Sequence, residues 1–302
     1  MKNICGTLAP QAGGGVNISV PCPICGENAS EWKYGFKRCS ACGIVYFSEK
    51  GELSPAPSYE RLNEKQIYFS SNVNIFSGWL ERLEKIIGSG KNLLDIGCAY
   101  GDFIKLALSR GWTAEGIEIS PEMAGHCKSS GLKVYDKDIL ELNLAAGSYD
   151  VITMWAVLSL VREPQPELSE AFRILKPGGL VLVRDYNFLF HKLAVSLQNT
   201  GFWKLFNARP GILHNWNFTP KSIKFLLKKT GFENIKIINS RPTTGDPYAT
   251  GGRLGSGFVS VFKNLYYFVS QMVYFVSFGR LLISPSLIAI AKKPNTCRGS
   301  IY

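Results

Sequence analysis

From Pro247 to the C-terminus the sequence has no acidic residue, while Arg253, Lys263, Arg280, Lys292, Lys293 and Arg298 all fall in that stretch. Residues 1–60, by contrast, balance five basic against five acidic side chains, so the net charge of +11 is not spread evenly. A basic end of this kind suits phosphate groups, on nucleic acid or on an anionic membrane, or else forms a solvated face. Long hydrophobic runs are also missing. The uncharged stretch from Asn264 to Gly279 includes Asn and Gln, and it falls short of the roughly 20 apolar residues that a membrane-spanning helix needs. The N-terminus carries one Lys and no continuous apolar core, which predicts no secretory leader and a cytoplasmic chain, with peripheral membrane contact left open. A charged fraction of 19% against 46% hydrophobic residues excludes general disorder.

A disulfide framework is missing as well. Of eight cysteines, Cys5, Cys98, Cys127 and Cys297 are scattered, as reduced thiols would be. The other four form two C-x-x-C pairs, Cys22 and Cys25, then Cys39 and Cys42, each pair followed by a glycine, Gly26 or Gly43. Two residues between thiolates let one tight turn present both sulfurs to a tetrahedral zinc. Four thiolates close the coordination sphere, so this zinc is expected to hold a small ribbon together and to do no chemistry.

The remainder alternates between strand and helix patterns. Residues 72–88 place Ile75, Trp79, Leu83 and Ile86 at helical spacing. "NLLDIG" reads as a buried strand, "DFIKLALSRG" as a helix, "TAEGIEI" as a strand and "PEMAGHCKSSG" as a helix. The alternation continues through "YDVITMWAVL", "PELSEAFRILK" and "GLVLVRDY". Such alternation predicts an α/β fold, a Rossmann-like, doubly wound, mostly parallel sheet with a small N-terminal zinc ribbon. The expected organisation is a disordered stretch over 1–20, the ribbon over 21–47, a linker over 48–71, the main domain over 72–292 and a tail over 293–302. Insertions in the main domain fall near 187–217 and 255–280.

Ligands of such sheets bind outside the carboxyl ends of the strands, which is where "DIGCAYG" falls. Gly97 and Gly101 permit a turn that brings backbone amides against a ligand, although this spacing alone is a weak signal. Glu118 ends the next strand, about where a dinucleotide fold places the acid that takes both hydroxyls of a ribose. After the third strand Asp138 is able to accept from an adenine amino group, with Ile139 beside it to pack on the ring.

The segments "NLLDIGCAYGDF", "AEGIEIS", "DKDILELN", "SYDVITMWAVL" and "AFRILKPGGLVLV" resemble, in order and spacing, class I S-adenosylmethionine-dependent methyltransferases. The resemblance is strongest to those similar to ubiquinone-biosynthesis and bacterial glycan or lipid methyltransferases. It covers residues 72–186, and "FTPKSIKFLLKKTGFENIKI" extends it to about 238. It implies S-adenosyl-L-methionine as cofactor, with its amino acid portion held by Asp95 and the turn of Gly97, Cys98, Ala99 and Gly101, its ribose hydroxyls by Glu118, its adenine by Asp138 and Ile139, and Ile119 as a further cofactor contact. "KPGG", Lys176 to Gly179, is then a turn before a strand. The sequence departs from the family after the fourth strand, where many relatives carry an acid and then a Leu-Glu-His-Val run. Here Ala156, Leu158, Ser159, Leu160 and Val161 stand instead, without the imidazole.

The reaction implied is methyl transfer by in-line displacement to a small-molecule, sugar or lipid-linked acceptor. Candidate bases on the acceptor side are Asp185, Tyr186, His191 and above all His214, since relatives often have a His shortly before such an "FTP" segment. Phe188, Phe190, Phe202, Trp203, Phe206 and Trp216 suggest an acceptor lid over 187–217, or ordinary packing. In "FVSVFKNLYYFVSQMVYFVSFG", an apolar stripe that includes Leu265, Val269, Met272 and Val276 opposes a polar one that includes Asn264, Tyr267, Ser270 and Gln271. This predicts an amphipathic helix facing the core, the alternative being a helix that lies on a membrane or binds a lipid-linked acceptor. Two rival functions remain. One is an RNA methyltransferase that grips phosphate with the ribbon and basic end. The other is a cofactor-binding scaffold whose transferase site has decayed.

Overall fold

The computed structural model describes residues 20–33, 35–47, 73–196, 214–241 and 256–295. The expected N-terminal stretch up to residue 19, the linker, Phe202, Trp203, Phe206 and Cys297 lie outside the described residues, and Val20, expected in that stretch, is in a strand.

A seven-stranded sheet forms the centre. Its strands are β5 (Asn92–Ile96), β6 (Thr113–Ile117), β7 (Val134–Tyr135), β8 (Tyr149–Trp155), β9 (Leu175–Tyr186), β11 (Glu233–Asn239) and β12 (Ser286–Lys292), in the spatial order β11-β12-β9-β8-β5-β6-β7. The five strands β5 to β9 run parallel, whereas β12 is antiparallel to both β9 and β11. Leu93 and Leu94 of β5 are both fully buried, on opposite faces. This explains why a central strand reads as a continuous apolar run and not as an alternation. The strand order reverses between β5 and β8, so a crevice opens at their carboxyl ends.

Helices cover both faces. Helix α1 (Val73–Ile87) buries Ile75, Phe76, Trp79, Leu80 and Leu83. Helices α2 (Asp102–Ser109), α3 (Pro121–Ser129) and α4 (Pro164–Ile174) link the parallel strands. Helix α5 (Phe188–Ser196) follows β9 directly. Helix α6 (Pro220–Thr230) starts with a reciprocal cap, in which Ser222 N–H donates to Thr219 Oγ1 at 3.1 Å and Thr219 N–H donates to Ser222 Oγ at 2.8 Å. Satisfying both amides fixes the start of this helix. Helix α7 (Ser256–Val276) precedes β12.

The KPGG segment corrects the expected turn. Lys176 to Gly179 lie inside β9, where Tyr149 pairs with Leu175 but Val151 pairs with Leu180. The extra residues form a bulge, with Gly178 at φ +79°, which bends the strand without ending it.

The ribbon consists of β1 (Val20–Pro21), β2 (Asn28–Glu31), β3 (Phe36–Cys39) and β4 (Val45–Phe47), all antiparallel. A fifth strand joins it from the main domain. This is β10 (Trp216–Asn217), with Trp216 opposite Tyr46 and Asn217 opposite Val45. Lys229 of α6 adds a hydrogen bond to the Ile24 carbonyl at 2.7 Å, and Trp32 meets Phe188 edge to face at 5.2 Å. The ribbon is therefore built into the main domain.

Candidate functional site

At the crevice, β5 ends in Asp95 and Ile96, and the chain turns through Gly97 at φ +69°, Ala99 at +49° and Gly101 at +77°. A Cβ on Gly97 would lie 2.3 Å from Val157 Cγ2, and one on Gly101 would lie 2.4 Å from Leu132 Cδ1. Glycine is thus required twice over, by backbone conformation and by space. The Gly97 and Cys98 amides donate to the Ile117 carbonyl at 2.8 and 3.0 Å, which stitches the turn to β6.

Glu118 holds the turn from the other side. Its two carboxylate oxygens accept from the Ala99 and Ser120 amides, each at 2.9 Å. A carboxylate offers about four acceptor positions, so each oxygen keeps capacity for a further donor. Asp95 is fully buried and accepts from Thr153 Oγ1 at 2.6 Å. Burial first, opposed by that hydrogen bond, and then the Glu118 charge set its pKa, which is pushed up to about 8. Burial also raises Glu118. Two acids crowded together at one buried rim favour a ligand that brings positive charge or hydrogen-bond donors.

Asp138 caps a 3₁₀ turn, Ile139–Glu141, and accepts from the Leu140 amide at 2.8 Å. Its neighbour Glu167, on α4, is only 4% exposed. Burial, followed by the charge of Asp138 and a hydrogen bond to it, raises Glu167 to about 8. Glu167 went unnoticed in the sequence. The signal was its place on the buried stripe of α4, beside Leu168 and Ala171. Ile139 is a correction: its side chain is sealed in the core, so it cannot line the rim, and the exposed apolar side chains there are Ile119 and Leu140. Cys98 is likewise buried, packed against Gly116 and Ile104.

Of the four candidate bases, Tyr186, His191 and His214 come together at the end of β9. The Tyr186 ring stacks on His214 with centroids 4.6 Å apart and meets His191 edge to face at 5.7 Å. Both ring nitrogens of His214 are covered and have no hydrogen-bond partner among the described residues. Burial, and then His191, lowers the His214 pKa to about 4, which keeps the imidazole neutral. Asp185 is buried, with its carboxylate accepting from the Ser159 and Tyr186 amides at 2.8 Å each. Burial raises it to about 6 against those bonds. It anchors the loop after β8 through the Ser159 amide. Asn217 ties His214 to the ribbon: it accepts from the His214 amide at 3.0 Å and donates to the His214 and Val45 carbonyls at 2.7 and 3.3 Å.

The four ribbon cysteines converge, with all four sulfurs within 4.8 Å of one another. Cys22 and Cys42 are 3.7 Å apart and Cys25 and Cys39 3.5 Å. A tetrahedron with Zn–S bonds of about 2.3 Å has edges of roughly 3.8 Å, so the set fits a structural zinc.

The basic end divides. Lys293 is buried, its Nζ donating to the carbonyls of Phe172 and Leu175 at 2.7 Å and of Arg173 at 3.3 Å, where it closes the C-terminus of α4. It is therefore not free to meet phosphate.

A family model described as a methyltransferase domain matches residues 71–237. The ubiquinone biosynthesis O-methyltransferase of Escherichia coli is 32% identical over 184 residues, which is 56% of this chain and 72% of that protein. An uncharacterised protein of Methanocaldococcus jannaschii is 29% identical over 177 residues, covering 57% of this chain and 79% of its own length. The chain spans about half the length of other ubiquinone O-methyltransferases it matches, 45% of the one from Methylococcus capsulatus. Among solved structures, an S-adenosylmethionine-dependent methyltransferase from Archaeoglobus fulgidus aligns with a TM-score of 0.50 at 20% identity, over 78% of this chain and 100% of that one. At that identity the likeness bears on the fold.

Proposed function

Because this chain belongs to the methyltransferase-domain family, we propose that it moves a methyl group from S-adenosyl-L-methionine to a hydroxyl of a small-molecule, sugar or lipid-linked acceptor. The observation that carries the reading is the convergence of the Gly97–Gly101 turn with Asp95, Glu118 and Asp138 at the ends of three adjacent strands. When bound, the cofactor supplies a methyl group on a positively charged sulfur, already activated for displacement.

The chain's own residues do the rest. Asp95 and the turn of Gly97, Cys98, Ala99 and Gly101 hold the amino acid portion. Glu118 accepts from the ribose hydroxyls through its remaining capacity. Asp138, beside the buried Glu167, accepts from the adenine amino group, with Ile119 and Leu140 as apolar flanks. Fixing donor and acceptor in line accounts for about 7–11 kcal/mol of barrier. His214, neutral and with no hydrogen-bond partner among the described residues, accepts the proton that the acceptor hydroxyl loses, a contribution of about 10²–10⁴ in rate. Tyr186 supports its ring face. The ubiquinone O-methyltransferase relatives favour oxygen as the methylated atom.

Calorimetry with S-adenosyl-L-methionine tests cofactor binding: heat is expected from the native chain and little from Glu118→Ala, and equal heats would refute the site. Labelled donor incubated with separated lipid, glycan, small-molecule and RNA fractions then identifies the acceptor, and label confined to RNA would overturn the reading. His214→Ala is expected to lower single-turnover rate about 10²-fold or more with cofactor affinity unchanged. Since His214 is neutral above about 4, activity should fall only as pH drops toward that value.

A further inference from the structure

Helix α7 reverses the packing its sequence predicts. Ser270, at 0% exposure, faces the protein with half-buried Tyr266, Tyr267 and Tyr274, while the apolar stripe faces outward. Val261, Leu265, Phe268, Val269, Met272, Phe275 and Val276 recur every three or four residues along that outer face, Phe268 at 61% exposure and Phe275 at 80%. Phe278, at 91%, and Leu281 extend the face beyond the helix.

The orientation is held by specific contacts. Asn239 Nδ2 donates to the Ser270 carbonyl at 3.0 Å, Tyr266 Oη donates to the Ile283 carbonyl at 2.8 Å, and Tyr266 meets Phe190 edge to face at 5.2 Å. Rolling the helix to bury its apolar stripe would break all three. An apolar face this continuous is far more than the scattered exposed side chains of an ordinary surface.

Charge selects the occupant. Arg280 follows the helix and is exposed, and Arg241 is exposed with its guanidinium 5.9 Å from the Tyr267 ring centroid. No acid occurs anywhere from Pro247 onward. A second copy docked on this face would bring one set of positive charges against its own duplicate, whereas an anionic lipid surface meets it with the opposite sign. Among the described residues no helix is long and apolar enough to cross a membrane, which leaves a helix lying in the interface plane.

We propose that the outer face of α7, with Phe278, Leu281, Arg241 and Arg280, seats the protein on an anionic membrane surface. Phe268, Phe275 and Phe278 enter the headgroup–acyl boundary, and the two arginines pair with headgroup phosphates. The seat adjoins the acceptor side, since Phe190, which packs on Tyr266, lies 5.6 Å from His191. It requires no methyl transfer, so its failure would leave the catalytic reading untouched.

The test is sedimentation of the full-length, zinc-loaded chain with vesicles of phosphatidylcholine alone or with phosphatidylglycerol added, in the absence of methyl donor. Binding is expected to the phosphatidylglycerol vesicles at low salt and to weaken as salt rises. The double variant Phe268→Asp/Phe275→Asp is expected to lower partitioning about tenfold or more, and Arg241→Glu/Arg280→Glu by several-fold. Melting temperature without vesicles should change little in the aspartate variant, because among the described residues Phe268 and Phe275 are mostly exposed. Three results would each overturn the proposal: no co-sedimentation at low salt, a fall of several degrees in the variant's melting temperature, which would mean that the chain covers this face itself, or a dimer by light scattering that the variant converts to monomer.

Discussion

Gly97→Ala gives the sharpest check on the geometry of the cofactor turn. Two costs add. An alanine at φ +69° costs about 1–2 kcal/mol in the left-handed region. Its methyl would also stand 2.3 Å from Val157 Cγ2, an overpacking of about 1–3 kcal/mol. The stiffer unfolded chain returns about 0.4–1 kcal/mol, so the net loss is about 1–5 kcal/mol. Val157→Ala deletes the atom that clashes and alone costs on the order of 1–2 kcal/mol for the lost methyl burial. The double variant is then expected to be less destabilised than the sum of the singles by the overpacking share, about 1–3 kcal/mol, while the backbone cost persists. Urea unfolding of all four proteins measures this coupling. Calorimetry on the same set reads whether the Ala99–Glu118 bond recovers, since S-adenosyl-L-methionine binding should return with the double variant. Additivity within about 0.5 kcal/mol would refute the assigned contact.

Cys42→Ser, or exhaustive chelation, is expected to remove zinc as judged by metal analysis and to alter Trp216 fluorescence, because Trp216 stacks on Tyr46 at 5.7 Å. Turnover should fall about tenfold or more through displacement of His214 while cofactor binding persists; unchanged turnover in the metal-free chain would separate the ribbon from the acceptor side. Glu167→Gln should flatten the pH dependence of stability. Glu167 is raised to about 8, so the folded state holds a proton that the unfolded chain has released, and rising pH erodes stability from the ordinary carboxyl range up to about 8. The glutamine variant lacks that loss and should overtake the native chain near pH 8, as denaturant unfolding at several pH values will show; parallel profiles would contradict the buried pairing with Asp138.

The central strands were legible because they are buried on both faces and closed by glycines, as "NLLDIG" illustrates, and the zinc cluster because spacing alone presents its sulfurs. Other features depend on partners remote in sequence. Nothing local marks Trp216 and Asn217 as the ribbon's fifth strand, since they pair with residues near the opposite end of the chain. The KPGG bulge has the composition of a turn, and only register against β8 distinguishes the two. For α7, periodicity marks the two stripes only in outline, since Asn264 of the polar one is exposed, and it does not say which faces inward, because backbone carbonyls and Asn239 supply partners for Tyr266 and Ser270. Ile139 was assigned to the rim by adjacency to Asp138, yet in a 3₁₀ turn adjacent side chains diverge, and it was Leu140 that emerged.

That the small N-terminal sheet borrows its last strand from the catalytic portion has a consequence for engineering and for descent. Cut out by itself, the cysteine module would expose the free edge of β4; moved onto another transferase, it would need a host offering a Trp-Asn pair at matching height. Such a module would accordingly travel between enzymes as a two-part inheritance, module and docking strand together.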